Sequence, residues 1–151
     1  MKKKMLFVFF LSVFALVLTG CGGSGNKLVC TIKDSVPAGQ YEINYSSEIV
    51  MGLKKGDIVD SLKMSIEIVI PEDAYNDMKQ EGDINENMEY VAQMFMQGFT
   101  SQLPQEYAKT DYKIKKNKIE VTSTVDMTKA NEEKTKQEAI ESFEGNGYTC
   151  K

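Results

Sequence analysis

The feature that most constrains this chain is a two-residue apolar period that runs from Asn26 to Ile70. Successive side chains of a β-strand point to opposite faces, so this period is typical of strands with one buried and one solvated face. In the segment 39–53 the apolar residues fall on odd positions: Tyr41, Ile43, Tyr45, Ile49, Met51 and Leu53. In the segment 57–70 they fall on even positions: Ile58, Leu62, Met64, Ile66, Ile68 and Ile70.

Short turns separate these segments. Lys54–Asp57 is predicted to connect the two strands, and Pro37–Gly39 to connect the first of them to a strand that contains Cys30. Connections this short join antiparallel neighbours, so the sequence predicts a three-stranded antiparallel meander. Pro71 is expected to end the third strand, because proline cannot donate a hydrogen bond to a ladder.

After Pro71 the apolar period lengthens to three or four residues, which is typical of amphipathic helices. We expect a short helix over Glu72–Gln80 and a longer one with Asp83 as N-cap and Glu86 completing a capping box. Gly98 in the longer helix is expected to mark a close approach to the sheet. The remaining predicted elements are strands at Asp111–Lys115 and Ile119–Met127, a helix at about Ala130–Glu144 and a last strand at Tyr148–Lys151.

The predicted order is therefore three strands, a helix, two strands, a helix and a strand. Helices that pack on one face of an antiparallel sheet give a two-layer α+β domain. A length of 151 residues suits one domain, and no repeat or second-domain linker interrupts the pattern. We expect residues 28–151 to form this single domain.

Residues 1–20 have the organisation of an export signal. Lys2–Lys4 precede a largely apolar run from Met5 to Leu18, and the small residues Thr19 and Gly20 follow it. The run has 14 residues, which is about 21 Å of helix, whereas the hydrocarbon core of a bilayer is about 30 Å thick. A cleaved signal peptide is therefore favoured over a membrane-spanning helix.

The sequence Leu18-Thr19-Gly20-Cys21 resembles the lipobox of bacterial lipoproteins in residue type, spacing and position. In that family the matching thiol takes a diacylglycerol and a peptidase then cuts before the cysteine, so the resemblance implies fatty-acid modification of Cys21, palmitate included. Residues 21–27 would then be the lipidated cysteine and a flexible tether that holds the domain on the extracytoplasmic face of the cell membrane. The alternative is an ordinary secretory signal with an incidental cysteine.

Two cysteines remain, Cys30 and Cys150, at opposite ends of the mature chain. Such a pair oxidises readily outside the cytoplasm, so we predict a disulfide that ties the first strand to the last. Each cysteine shares sequence parity with apolar neighbours and should point into the core. The alternatives are two free thiols and a redox pair. Against a redox pair, the chain has no Cys-x-x-Cys and no histidine or arginine to lower a thiol pKa.

The charge composition excludes several classes of function. All 18 basic residues are lysine, and histidine is absent, which removes the usual general base, the commonest metal ligand and the bidentate phosphate donor. Without residues 1–20, 15 lysines face 22 acidic residues, a net charge of −7. That balance disfavours nucleic acid or an anionic membrane surface as the partner of the domain itself.

Two patterns resemble metal sites. Asp83–Asn87 spaces oxygen ligands like the start of a calcium loop, but Met88 stands where glycine is needed and Met94 where a bidentate glutamate belongs. Met88, Met94 and Met96 are soft ligands suited to Cu(I). At 100° per residue, however, they spread around the helix and favour a role in packing. We therefore expect no metal and no cofactor.

Five carboxylates are predicted on the solvated face of the sheet: Glu42, Glu48, Glu67, Glu120 and Asp126. Glycosidases hold two carboxyl groups about 5–9.5 Å apart in a cleft and raise the pKa of one. A flat face that is interleaved with lysines does not provide this environment. Ser65 and Lys63 are likewise only surface neighbours. No catalytic residue is assigned, and the protein is not expected to be an enzyme.

Several short motifs look like those of the YehR-type small bacterial lipoproteins. They are the lipobox, the turn Lys55–Val59, the strand end Val125–Met127 and the final Gly147-Tyr148. The resemblance covers most of the mature chain and implies the same fold and location, with no catalytic residues to transfer. Cys30 and Cys150 are a departure from it, since we do not expect them family-wide.

These observations predict a membrane-anchored lipoprotein that acts as a binding or protein-interaction module of the cell envelope, with an envelope protein or a wall component as partner. The alternative is a small-ligand carrier with a pocket between helices and sheet. An unrecognised hydrolase is a third reading.

Overall fold

A computed structural model of the chain describes residues 27–101, 103, 105–130 and 133–151. They form one six-stranded antiparallel sheet and three α-helices, so the α+β class predicted from the sequence is confirmed. The strands are β1 (Lys27–Ala38), β2 (Tyr41–Lys54), β3 (Ile58–Val69), β4 (Ala108–Lys115), β5 (Lys118–Asp126) and β6 (Thr149–Cys150). The helices are α1 (Glu72–Glu81), α2 (Ile84–Thr100) and α3 (Lys136–Glu144). The predicted signal segment and Cys21 lie outside the described residues.

The strands of the sheet follow the order β4-β5-β3-β2-β1-β6, and each neighbouring pair is antiparallel. β1, β2 and β3 form a meander, and β4 and β5 form a hairpin that joins it through β5 and β3. The two-residue β6 pairs with β1 at the opposite edge. The first and last segments of the described chain therefore lie side by side.

The register places the apolar positions of the strands on one face. Cys30 is opposite Ile49, Ile49 is opposite Met64, and Met64 is opposite Ser123. Directly opposed residues of antiparallel neighbours share a face, so these four side chains form one row across the sheet. All four are buried. The other face, called the open face here, carries the alternate residues, which are half-buried or exposed.

Two of the three helices, α2 and α3, begin at residues whose side chains satisfy free backbone N–H groups, whereas Pro71 before α1 makes no side-chain cap hydrogen bond. The Asp83 carboxylate accepts from the backbone N–H of Asn85 at 2.8 Å and caps α2. Thr135 caps α3 through a reciprocal capping box with Glu138. The predicted start of the third helix near Ala130 is therefore wrong, because the capping box fixes the start at Lys136, and Met127–Lys129 form a separate 3-10 turn.

Two further expectations are corrected. Gly98 does not mark a close approach to the sheet, because a Cβ built at this position meets no atom within 4 Å. β4 begins at Ala108 rather than at Asp111, because three more residues pair with β5 in the same register. The core is completed by the helix residues Ala74, Met88, Ala92 and Ala139, which join the same buried cluster as the strands.

Candidate functional site

The disulfide between Cys30 and Cys150, which the sequence predicts, is present in the structure. Val29 and Lys151 exchange two backbone hydrogen bonds of 3.0 and 2.8 Å. The next opposed pair, Cys30 with Cys150, therefore occupies the position between ladder bonds where strands approach most closely and side chains lie near each other. Cys30 is fully buried, so the bond is anchored in the core.

The segment between α3 and β6 is held by an aromatic contact and a hydrogen bond. The rings of Phe143 and Tyr148 meet edge to face with centroids 5.5 Å apart. The Tyr148 hydroxyl donates to Oγ of Ser47 at 3.1 Å, across 101 residues of sequence. Together with the disulfide, these contacts fix the end of the chain against β1 and β2.

Two buried polar side chains were missed by the sequence analysis. Ser47 and Ser123 lie in the core with 3% and 2% exposure. Each has a hydroxyl partner, Tyr148 for Ser47 and Thr110 for Ser123 at 2.8 Å. Both serines are at odd positions, like the buried apolar residues of β2 and β5, and this alternation could have indicated that they are buried. Because each is bonded to another hydroxyl, their role is to satisfy hydrogen bonds in the core.

A cavity of about 160 Å³ lies at one end of the helix–sheet interface. Its apolar lining includes Met51, Leu62 and Val125 from the sheet and Phe99 and Phe143 from the helices. Its polar lining includes Lys134, Ser142 and Asn146, which are exposed and so lie on the solvent side. An apolar cavity of this size accommodates a guest of about one aromatic ring, whereas drug-sized ligands occupy about 300–1,000 Å³.

The outer face of α2 carries two exposed apolar side chains one turn apart. Tyr90 is 64% exposed and Met94 is 51% exposed, within the described part of the chain. Glu86 precedes Tyr90 by four residues and Gln97 follows Met94 by three, so the four residues form one stripe along the helix. This set, Glu86, Tyr90, Met94 and Gln97, is called the outer stripe of α2. Met88 and Ala92 on the opposite side of the helix are buried.

The predicted carboxylates of the open face are partly neutralised by lysines. Glu67 and Glu120 are directly opposed in β3 and β5. The Nζ atoms of Lys118 and Lys115 lie 3.8 and 2.9 Å from carboxylate oxygens of Glu67 and Glu120, respectively. Such an arrangement is an ion-pair ladder across strands.

At the end of β5, a hydrogen bond from the Thr128 hydroxyl is the main cause that lowers the pKa of Asp126 below its ordinary value.

The residues of the calcium-like pattern have structural partners. Asp83 caps α2, and the Asn87 amide donates to the backbone carbonyl of Met78 at 3.0 Å, which links α2 to α1. Met88 is 1% exposed whereas Met94 is on the outer stripe, so the two sulfurs are on opposite sides of the helix. Within the described ranges, no group of three or more histidine, cysteine or acidic side chains is arranged to hold a metal.

None of the described helices combines the length and the apolar character needed to cross a bilayer. No protein-family model matches the chain, and no curated protein matches it. Among solved structures, the chain is similar to an NMR structure of a protein from Streptococcus pneumoniae TIGR4, with 12% identity and a TM-score of 0.41. The match covers 91% of this chain and 92% of that one, and a TM-score this low does not establish a shared fold.

Proposed function

We propose that this protein is a lipid-anchored lipoprotein of the extracytoplasmic face of the cell membrane, where it binds a partner protein of the envelope through the outer stripe of α2. The anchor is supported by the basic and apolar segments before Leu18-Thr19-Gly20-Cys21. The disulfide of Cys30 and Cys150 supports an oxidising compartment, because such bonds persist mainly outside the cytoplasm.

The binding role rests on one observation, the exposure of Tyr90 and Met94 next to each other on α2. Large apolar side chains are mostly buried, and contiguous exposed apolar patches mark contact surfaces. Tyr90 and Met94 are the two large apolar side chains that are exposed within the described residues. Tyrosine is enriched among residues that dominate binding energy, and methionine adapts to irregular partner surfaces. We propose no catalysis by the open face, because lysines pair with the opposed Glu67 and Glu120.

We also infer the finer architecture, a two-layer domain with all helices on the buried face of the sheet. Support comes from Ala74 of α1, Met88 and Ala92 of α2 and Ala139 of α3, which belong to the same core cluster as the buried strand residues. In this arrangement the outer stripe of α2 faces away from the sheet and is accessible to a partner.

The anchor is tested with Cys21→Ala in intact cells. We expect the variant to lose fatty-acid labelling and to leave the membrane fraction, because a single cysteine carries the acyl chains. Ser24→Ala, three residues away in the predicted tether, is the matched control and should keep the label. Unchanged labelling of Cys21→Ala would rule out the anchor.

The binding surface is tested by photo-crosslinking in intact cells. A photo-reactive side chain at position 94 should give a discrete adduct that Tyr90→Ala abolishes. The same side chain at position 137, which is exposed on α3, is the control and should give none. The proposal fails if positions 94 and 137 give the same adducts, or if position 94 gives none.

The alternative function, a small-ligand carrier, is favoured by the cavity of about 160 Å³ between helices and sheet. If the cavity binds a ligand, single-ring aromatic compounds should raise the melting temperature of the protein by mass action. Ser142→Trp, at an exposed lining position, should block this shift while Gln137→Trp should not. The absence of any shift with single-ring compounds would argue against the carrier.

A further inference from the structure

The segment 72–101, which contains α1 and α2, holds most of the net negative charge of the chain from Cys21 onward. Residues 72–101 contain seven acidic side chains and one lysine, a net charge of −6. The chain from Cys21 onward has 15 lysines and 22 acidic residues, a net charge of −7. The sheet, α3 and the connecting segments are therefore close to neutral as a group. The seven acidic residues are Glu72, Asp73, Asp77, Glu81, Asp83, Glu86 and Glu89.

Two of these carboxylates have partners outside the two helices, one in the turn between β4 and β5 and one in β2. Glu72 is paired with Lys116 at 2.8 Å, and Asp77 accepts a hydrogen bond from the Tyr41 hydroxyl, which is the main cause that raises the pKa of Tyr41. The charges at Glu86 and Glu89 are exposed, and the segment 82–101 contains no basic residue. The apolar pair Tyr90 and Met94 thus follows, on the same helix, two carboxylates that no basic residue of the segment 82–101 compensates.

We propose that the outer stripe of α2 binds a lysine- or arginine-rich amphipathic segment of the partner protein. The inference rests on the proposed binding function and names the chemistry of the partner. Apolar side chains of such a segment cover Tyr90 and Met94, while its cations lie next to Glu86 and Glu89. An arginine or lysine can also sit over the face of the Tyr90 ring.

Charge complementarity favours this partner over other occupants. A surface of one sign attracts segments of the opposite sign, speeds their association and excludes acidic surfaces by repulsion. A second copy of this protein would bring a second set of carboxylates to the same place, so self-association through this face is disfavoured. A small polyamine satisfies the carboxylates but leaves Tyr90 and Met94 exposed.

The test measures binding of a defined peptide to the full lipidated protein in neutral phosphatidylcholine nanodiscs, with empty nanodiscs subtracted. The probe is a fluorescent helical peptide with leucine on one face and lysine on the other. A second peptide has glutamate in place of lysine, and spermine serves as a cation without an apolar face. Peptide binding is measured by fluorescence anisotropy at low and high salt. Spermine binding is measured by its competition with the fluorescent lysine peptide.

Glu86→Gln together with Glu89→Gln should weaken binding of the lysine peptide by about tenfold at low salt, because the local negative field is reduced. The control, Glu141→Gln together with Glu144→Gln, removes the same charge from exposed positions of α3 and should change binding less than twofold. Tyr90→Ala should weaken binding of the peptide and leave spermine competition unchanged. High salt should weaken binding of the wild type more than that of the Glu86→Gln, Glu89→Gln variant.

Three outcomes would overturn the inference: equal loss in the α3 control, equal binding of the glutamate peptide, or no effect of Tyr90→Ala. These results are separable from failure of the proposed function. If position 94 crosslinks in cells but the lysine peptide does not bind, the proposed binding surface is supported and the basic character of its partner is refuted. If the lysine peptide binds but position 94 gives no crosslink in cells, the proposal that the protein binds a partner protein of the envelope is refuted.

Discussion

Cys30 and Cys150 are joined across β1 and β6, with Cα atoms 4.0 Å apart and a sequence separation of 120 residues. β6 has only two residues and pairs with an edge of the sheet. The covalent bond adds to the backbone pairing of this short strand and to the contacts of Tyr148 with Phe143 and Ser47 in holding the end of the chain in place. The bond also encloses nearly the whole domain in one loop.

The first prediction concerns this disulfide. Reduction, or the double change Cys30→Ser with Cys150→Ser, should lower the free energy of unfolding by about 5 kcal/mol in the chain-entropy model for so long a loop. Urea unfolding of the oxidised and reduced wild type measures this loss. The double variant is the control, because a reductant should leave its midpoint unchanged. An equal midpoint for oxidised and reduced wild type would show that the bond does not stabilise the fold.

The second prediction compares two methionines on opposite sides of α2. Met88 is 1% exposed and Met94 is 51% exposed. Met88→Ala should destabilise the protein by about 2–5 kcal/mol, since it leaves a cavity in the core. Met94→Ala should change stability by less than about 0.5 kcal/mol, as exposed positions usually do. Thermal and urea unfolding of both variants measure the difference, and similar losses would place Met94 in the core.

The third prediction concerns the start of α3 and its pH dependence. Thr135→Ala should lower the free energy of unfolding by about 1 kcal/mol, the usual value for loss of an N-cap. A hydrogen bond from the backbone N–H of Thr135 is the main cause that lowers the pKa of Glu138 from its ordinary value of 4.5. Because the pKa is lower in the folded state, ionised Glu138 stabilises the fold above the unfolded-state value, and this contribution is lost as the pH falls through the folded-state value.

Glu138→Gln isolates this effect, because glutamine keeps the capping geometry and cannot ionise. The difference in unfolding free energy between wild type and this variant should be constant near neutral pH and should shrink below pH 4.5. Urea titrations at several pH values measure it. A difference that grows on acidification would contradict the assigned direction of the pKa shift.

The fourth prediction contrasts two glycines. Gly98 lies within α2, and a Cβ there meets no atom within 4 Å, so Gly98→Ala should stabilise the protein by about 0.5–1 kcal/mol through helix propensity. Gly147 has φ of +88°, in the left-handed region, so Gly147→Ala should destabilise the fold by about 1–2 kcal/mol. Melting temperatures of the two variants should shift in opposite directions, and a loss for Gly98→Ala would reveal a packing role.

Several local features of the structure are present as patterns in the sequence. The pattern of Thr135 followed three residues later by Glu138 is a capping box, and it would have placed the start of α3 correctly. Ser47 and Ser123 alternate in step with the buried apolar residues of β2 and β5, so the same alternation also predicts that they are buried. The outer stripe of α2 was available as well, since Tyr90 and Met94 are off the apolar stripe of that helix.

By itself, the sequence determined where Asp83 begins α2, that Cys30 and Cys150 point inward and which side of each long strand is buried. The exception is the start of β3, where Val59 rather than Ile58 is buried beside a register shift at Gly52 and Leu53. These features depend on residues within a few positions of each other, because alternation along a strand and capping of a helix are local geometry. Only the tertiary structure decided that β5 pairs with β3 and β6 with β1, and that the core leaves a cavity beside Phe99 and Phe143. Those outcomes depend on how all the apolar faces bury one another at once, which no local pattern specifies.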